Sequence, residues 1–122
     1  RAEGEASMKP LETPRQTRQL STFYVADRLY GIDVMQVQEV TKAMPITVIR
    51  LAPAYVKGLI NLRGQIATAI GLSELFGITP VADTEKMNVV CRSDGNLLSF
   101  LVDRIGDVVE VSEEGFEAAP DN

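Results

Sequence analysis

The sequence predicts an all-β fold, arranged as a small barrel or a pair of barrels. Short apolar runs rich in β-branched and aromatic residues recur at regular spacing along its 122 residues. Turn signals such as "RG" and "SDGN" separate them. No apolar pattern of helical period lasts beyond a single turn. The length fits one domain, and 45% apolar with 24% charged residues is the composition of an ordinary globular chain.

Residues 1–18 carry two prolines, seven charges and no apolar periodicity, which predicts a disordered leader ahead of a domain over 19–122. From Leu20, "LSTFYVA" and "LYGIDV" read as two strands of a hairpin turning at "DR". In "DVMQVQEV", Asp33 can cap a helix start and Gln36 can reach back to it. That predicts a short helical turn with Val34, Val37 and Val40 on one face. "ITVIRL" (Ile46–Leu51) reads as a strand, and Pro53 suits the start of a single turn through Tyr55.

"GLINL" and "QIATAI" then form an apolar hairpin whose tip is Arg63-Gly64, with glycine supplying the positive φ of a tight connection. Ser73 and Gly77 bracket "SELFG" as a capped helical turn. "TPVADTEK" is a loop. "MNVVCR" and "LLSFLV" flank "SDGN" as a second hairpin, "DVVEV" is a further strand, and "SEEGFEAAPDN" trails into an acidic end. The count is seven or eight strands. "VADRLYG" and "LVDRIGD" echo each other, which reads as coincidence.

Charge is uneven along the chain. Positions 1–79 carry a net +2 and positions 80–122 a net −7. An acidic last third argues against nucleic acid or an anionic membrane as partner, because both require a basic footprint. No apolar run approaches the ~20 residues that span a bilayer, so direct membrane insertion is not expected. A single cysteine excludes an internal disulfide and fits a reducing compartment.

Catalytic chemistry has little to stand on. The chain has no histidine, the commonest general base and metal ligand. Cys91 lies in an apolar strand with no second thiol, so it reads as a small buried hydrophobe, and no zinc ligand set exists. Asp103 and Asp107 read as solvated carboxylates at a strand end, not as an acid/base pair. No phosphate-cradling or nucleophile-elbow motif occurs. The expectation is a binder, with no catalytic residue, cofactor or metal.

Taken in order, "YGIDVMQVQEV", "PAYVKGLINLRGQIATAIGL", "LLSFLVDRIGDVVEV" and "FEAAP" resemble the CheW family, the coupling proteins of bacterial chemotaxis. The family's spacing is met by Tyr30–Asp33, Val37, Glu39, Pro53, Gly58, Asn61, Arg63 and Gly64. In "ATAIGL", Thr68 and Gly71 stand where the family usually has a proline and an aspartate. The resemblance also implies further strands beyond Pro120, so the chain reads as C-terminally incomplete.

The resemblance implies two SH3-like β-barrel subdomains and a non-catalytic adaptor in the cytoplasm. Such an adaptor joins chemoreceptor cytoplasmic tips to the regulatory domain of the histidine kinase CheA. The receptor would lie in a groove between subdomains, and the kinase on an apolar patch. An alternative is a CheW-like domain of a larger protein, either a CheW–receiver fusion or CheA itself. Receptor contact is expected of Val37, Glu39, Arg63 and Met87, with Gly58, Asn61 and Gly64 shaping the hairpin backbone. Read without the resemblance, Arg63 is a solvated turn residue and Val37 a core residue. Self-association is expected through the N-terminal strands, whose edge an incomplete domain would leave unpaired.

Overall fold

A computed structural model describes residues 17–81 and 85–112. Eight strands run in chain order: β1 (Thr17–Val25), β2 (Arg28–Asp33), β3 (Val37–Thr41), β4 (Val56–Leu62), β5 (Gln65–Gly71), β6 (Met87–Ser93), β7 (Asn96–Val102) and β8 (Arg104–Ser112). Among the described residues, one short helix, α1 (Leu72–Phe76), and a 3-10 turn at Val34–Gln36 complete the regular structure. The strands form two sheets, ordered β2-β1-β8 and β3-β6-β7-β5-β4. The expected all-β fold with two barrel-like subdomains holds.

The central strands of the five-stranded sheet carry runs of buried residues, as a sheet covered on both faces does, with successive side chains going to opposite faces. One face presents Ile60, Leu62, Ala67, Ala69, Val90, Leu97 and Leu101, packed around Met44 and Ile46. This face is the barrel interior. The other face presents Ile70, Val89, Cys91 and Val102, which pack with Phe23 and Val25 of the three-stranded sheet into one core. Parallel pairing of β5 with β7 brings Ala67 opposite Leu97. Inside the barrel, the fully buried Ser99 hydroxyl donates to Asn88 Oδ1 at 2.7 Å, and Asn88 Nδ2 donates to the Lys42 carbonyl at 3.0 Å. The buried side chains of Ser99 and Asn88 are thereby satisfied.

Two-residue loops fix both β-hairpins of the larger sheet. Arg63 and Gly64 have φ of 51° and 89°, and Asp94 and Gly95 have 51° and 81°. Positive φ at both central residues matches the twist of the flanking strands, as the sequence signals implied. The N-terminal hairpin also forms, turning at Ala26-Asp27 between β1 and β2.

Several expectations need correction. Thr17 and Arg18, placed in the expected leader, belong to β1; residues 1–16 and the acidic end from 113 lie outside the described residues. Asp33 does cap, accepting from the Met35 N–H at 2.9 Å, but the helical turn stops at Gln36. Val37–Thr41 is strand, because β-branched Val37, Val40 and Thr41 suit a ladder and β6 supplies one. Ile46–Leu51 is not a strand: it makes a single bridge, Thr47 to Leu59, and Val48, Ile49 and Leu51 stay exposed. The cap of α1 is Gly71, not Ser73, while Gly77 ends the helix at φ 71° as expected. The N-terminal strand β1 is paired on both edges, so an open edge for self-association belongs to β2 or β8.

Candidate partner-binding site

Arg63 stands at the tip of the β4–β5 hairpin because a I′-type loop of two residues leaves its side chain nowhere to pack. Asn61 steadies the loop from below, its Oδ1 accepting the Gly64 N–H at 2.8 Å. Gly64 has open space around its Cα, so its glycine serves the backbone angle alone. Gly58 serves proximity as well. A Cβ there would lie 2.2 Å from the Thr47 carbonyl oxygen, so the glycine lets the Ile46–Thr47 segment cross β4.

The guanidinium of Arg63 is ion-paired with Glu39 of β3, a contact between edge strands at opposite ends of the sheet order. The sheet therefore curls until its first and last strands meet, and this pair bridges the seam. The Arg63 side chain remains 71% exposed, whereas that of Glu39 is 24% exposed. One face of the guanidinium is held and the rest is presented to solvent. A planar group with several donors can keep its charge in that position and still grip a carboxylate or carbonyl.

Val37 and Glu39 do not share a surface. Between them β3 carries a bulge, with Val37 opposite Cys91 and Glu39 opposite Val90. Residues two apart normally face the same side of a strand, and one inserted residue reverses the second. Val37 consequently packs on the core between the sheets, and Glu39 faces the barrel rim. Gln38 is the extra residue, and its Oε1 accepts from Arg92 Nη2 at 2.6 Å. Met87 is half-buried against the same core as Val37. It lies four positions before Cys91, a run of about 13 Å along β6. Glu39, Asn61, Arg63 and Gly64 thus gather at one rim, while Val37 and Met87 belong to the inter-sheet face.

A groove between subdomains is expected from the resemblance, but sequence reasoning did not name the residues that line one between the sheets. An apolar groove of about 220 Å³ is lined by Phe23, Tyr30 and Ile32 on one side and by Leu72, Phe76 and Phe100 on the other. The Tyr30 and Phe76 rings stack at 4.8 Å across it, although Phe76 is 45% exposed. The signal available was the pair of apolar residues closing "SELF", too many for so short a surface helix.

Cys91 is buried, and burial raises its thiol to about 11, so the thiolate is scarce at neutral pH. No group of His, Cys, Asp or Glu among the described residues is placed to hold a metal ion.

The CheW-like domain family matches this chain over residues 19–122. The chain belongs to that family. The chemotaxis protein CheW of Treponema pallidum is 34% identical to this CheW-like domain, over 91% of the chain and 68% of the relative. The chemotaxis protein CheW of Rhizobium meliloti is 31% identical, over 85% of the chain and 68% of the relative. The crystal structure of scaffolding protein TtCheW from Thermoanaerobacter tengcongensis superposes with a TM-score of 0.80 at 30% identity. That superposition covers 88% of this CheW-like domain and 74% of the other chain.

Proposed function

We propose that the chain is a chemotaxis adaptor that couples chemoreceptor cytoplasmic tips to the histidine kinase CheA, acting as a scaffold without chemistry of its own. The observation that carries this is membership of the CheW-like domain family across 19–122, supported by the likeness to a protein described as scaffolding. We assign receptor contact to the rim formed by Glu39 and Arg63, with Val37 and Met87 setting the adjoining inter-sheet face. The site of action is the cytoplasm, where receptor tips lie; no helix among the described residues is long and apolar enough to cross a membrane. Self-association is assigned to the outer edge of β2, which pairs with no second strand among the described residues, since β1 has a strand on each side.

The test is reconstitution. Titration calorimetry with a chemoreceptor cytoplasmic fragment and with the CheA regulatory domain should each show saturable binding. Adding the chain to receptor and kinase should bring kinase autophosphorylation under receptor control. Failure to bind either partner, with a folded chain, overturns the assignment.

A further inference from the structure

The two sheets are joined by very little chain. Among the described residues the backbone passes between them at Val34–Gln36 and at Asp103, the one residue separating β7 of the larger sheet from β8 of the smaller. The sheets share one apolar core, so the junction governs the angle at which they are held at that end and not whether they are held. There Asp103 is tied in three directions. Its N–H donates to the Tyr24 carbonyl at 2.8 Å. One carboxylate oxygen accepts the Ala26 N–H at 2.6 Å, at the turn of the small sheet's hairpin. The other lies 2.8 Å from Lys86 Nζ, directly before β6 of the larger sheet, and accepts no hydrogen bond beyond that ion pair.

Both contacts operate in a largely dry setting. The Asp103 side chain is 9% exposed, against 28% for Lys86. Charge-assisted hydrogen bonds are short and strong in such surroundings, and an unpaired carboxylate there would be costly. Ala26 is held at φ 57°, the positive angle that the first position of a two-residue hairpin loop takes, and Asp103 accepts the N–H of that turn residue. "VADR" and "LVDR", whose likeness reads as coincidence in the sequence, thus meet: the carboxylate of the second holds the turn of the first.

We propose that Asp103 is a clasp that fixes the angle between the two sheets, and with it the inter-sheet groove, whose lining shares one core with the receptor-assigned Val37 and Met87. It is a positioning residue, touching no partner itself. The groove draws one wall from each sheet, with Tyr30 on β2 facing Phe76 and Phe100 on the other side. A change of inter-sheet angle therefore opens or closes it. The receptor part of this proposal rests on the function assigned above; the clasp itself does not.

The test separates the two. Nitroxide labels at Leu29→Cys on β2 and Asn96→Cys at the start of β7, both exposed positions, report the inter-sheet distance by pulsed electron resonance, while buried Cys91 stays unlabelled. Asp103→Ala should at least double the width of the distance distribution. Asp103→Asn, which keeps an oxygen for Ala26 but loses the Lys86 ion pair, should broaden the distribution only partway, as Lys86→Met does. If the released sheets hold the competent angle about a tenth of the time, affinity for a chemoreceptor cytoplasmic fragment falls about tenfold. Should Asp103→Ala fail to fold, Lys86→Met removes one arm of the clasp and should broaden the distribution by itself. An unchanged width in folded Asp103→Ala, or in Lys86→Met where that variant stands in, overturns the clasp. Broadening with unchanged affinity overturns its link to the receptor. A parent chain that never binds the fragment overturns the assigned function and leaves the clasp to be judged on width alone.

Discussion

Exchanging the two charges at the barrel seam separates what Arg63 does for the fold from what it does for a partner. The pair is largely solvent-exposed on the arginine side, 71% against 24% for Glu39. An ion pair of that exposure contributes about 0.2–1 kcal/mol. Arg63→Glu replaces attraction by repulsion of similar size, so it should cost about 0.4–2 kcal/mol, a fall in melting temperature on the order of 2–10 °C. Adding Glu39→Arg restores an opposite-charge pair and should recover most of that loss. Binding should behave differently. A partner carboxylate or carbonyl facing the guanidinium loses its contact in the single variant and meets the wrong geometry in the exchanged one. Stranding such a group costs about 2–5 kcal/mol, roughly 30-fold to a few thousand-fold in affinity. Thermal melts paired with calorimetry against a receptor fragment read both quantities. If the exchanged variant regains full binding along with stability, Arg63 serves only the seam, and the proposed contact is wrong.

Gly58→Ala should destabilise the chain by about 3 kcal/mol, since the new Cβ meets a backbone oxygen at 2.2 Å and φ is 145°; an unchanged urea midpoint would mean the Ile46–Thr47 segment is free to move aside. Leu51→Gly should instead raise stability by about 0.5–1 kcal/mol, because Leu51 sits at φ 64° with its side chain wholly in water. A loss there would show that Leu51 packs on something in solution. Cys91 should resist thiol reagents until denaturant is added. Its thiol is raised in the fold, so its stabilising effect is complete below pH 9 and is lost as pH climbs toward about 11; equal reactivity of native and unfolded chains sinks this. Sedimentation equilibrium should show a concentration-dependent dimer weakened by Leu29→Lys on the edge strand β2, and a monomer at every concentration would remove the edge-pairing idea.

The hairpin tips were legible because their physics is local. Arg63-Gly64 and Asp94-Gly95 announce two-residue loops whatever else the chain does, and the flanking apolar runs set the register. Ile46–Leu51 was misread for the opposite reason. Its composition suits a strand, but a strand needs a partner's hydrogen bonds, and here β4 offers one bridge at Leu59. Asp33 correctly announced a cap, yet a cap marks where a helix can begin and does not say that it continues. The Asp103 contacts span 77 residues to Ala26, and no local pattern encodes a partner at that separation.

The Glu39–Arg63 contact depends on a single inserted residue. With a regular β3 ladder, Glu39 would share the face of Val37 and project toward the core between the sheets, an unpaired carboxylate in apolar surroundings. The bulge at Gln38 turns it to the barrel rim instead, where the hairpin tip brings a guanidinium to meet it. Deleting Gln38 should therefore do more than shorten a strand. It would bury Glu39, release Arg63 and remove the acceptor of the Arg92 hydrogen bond at once. One backbone irregularity closes the barrel, orients the exposed arginine and keeps Val37 for the inter-sheet face, which ties the geometry of the seam to that of the proposed receptor surface.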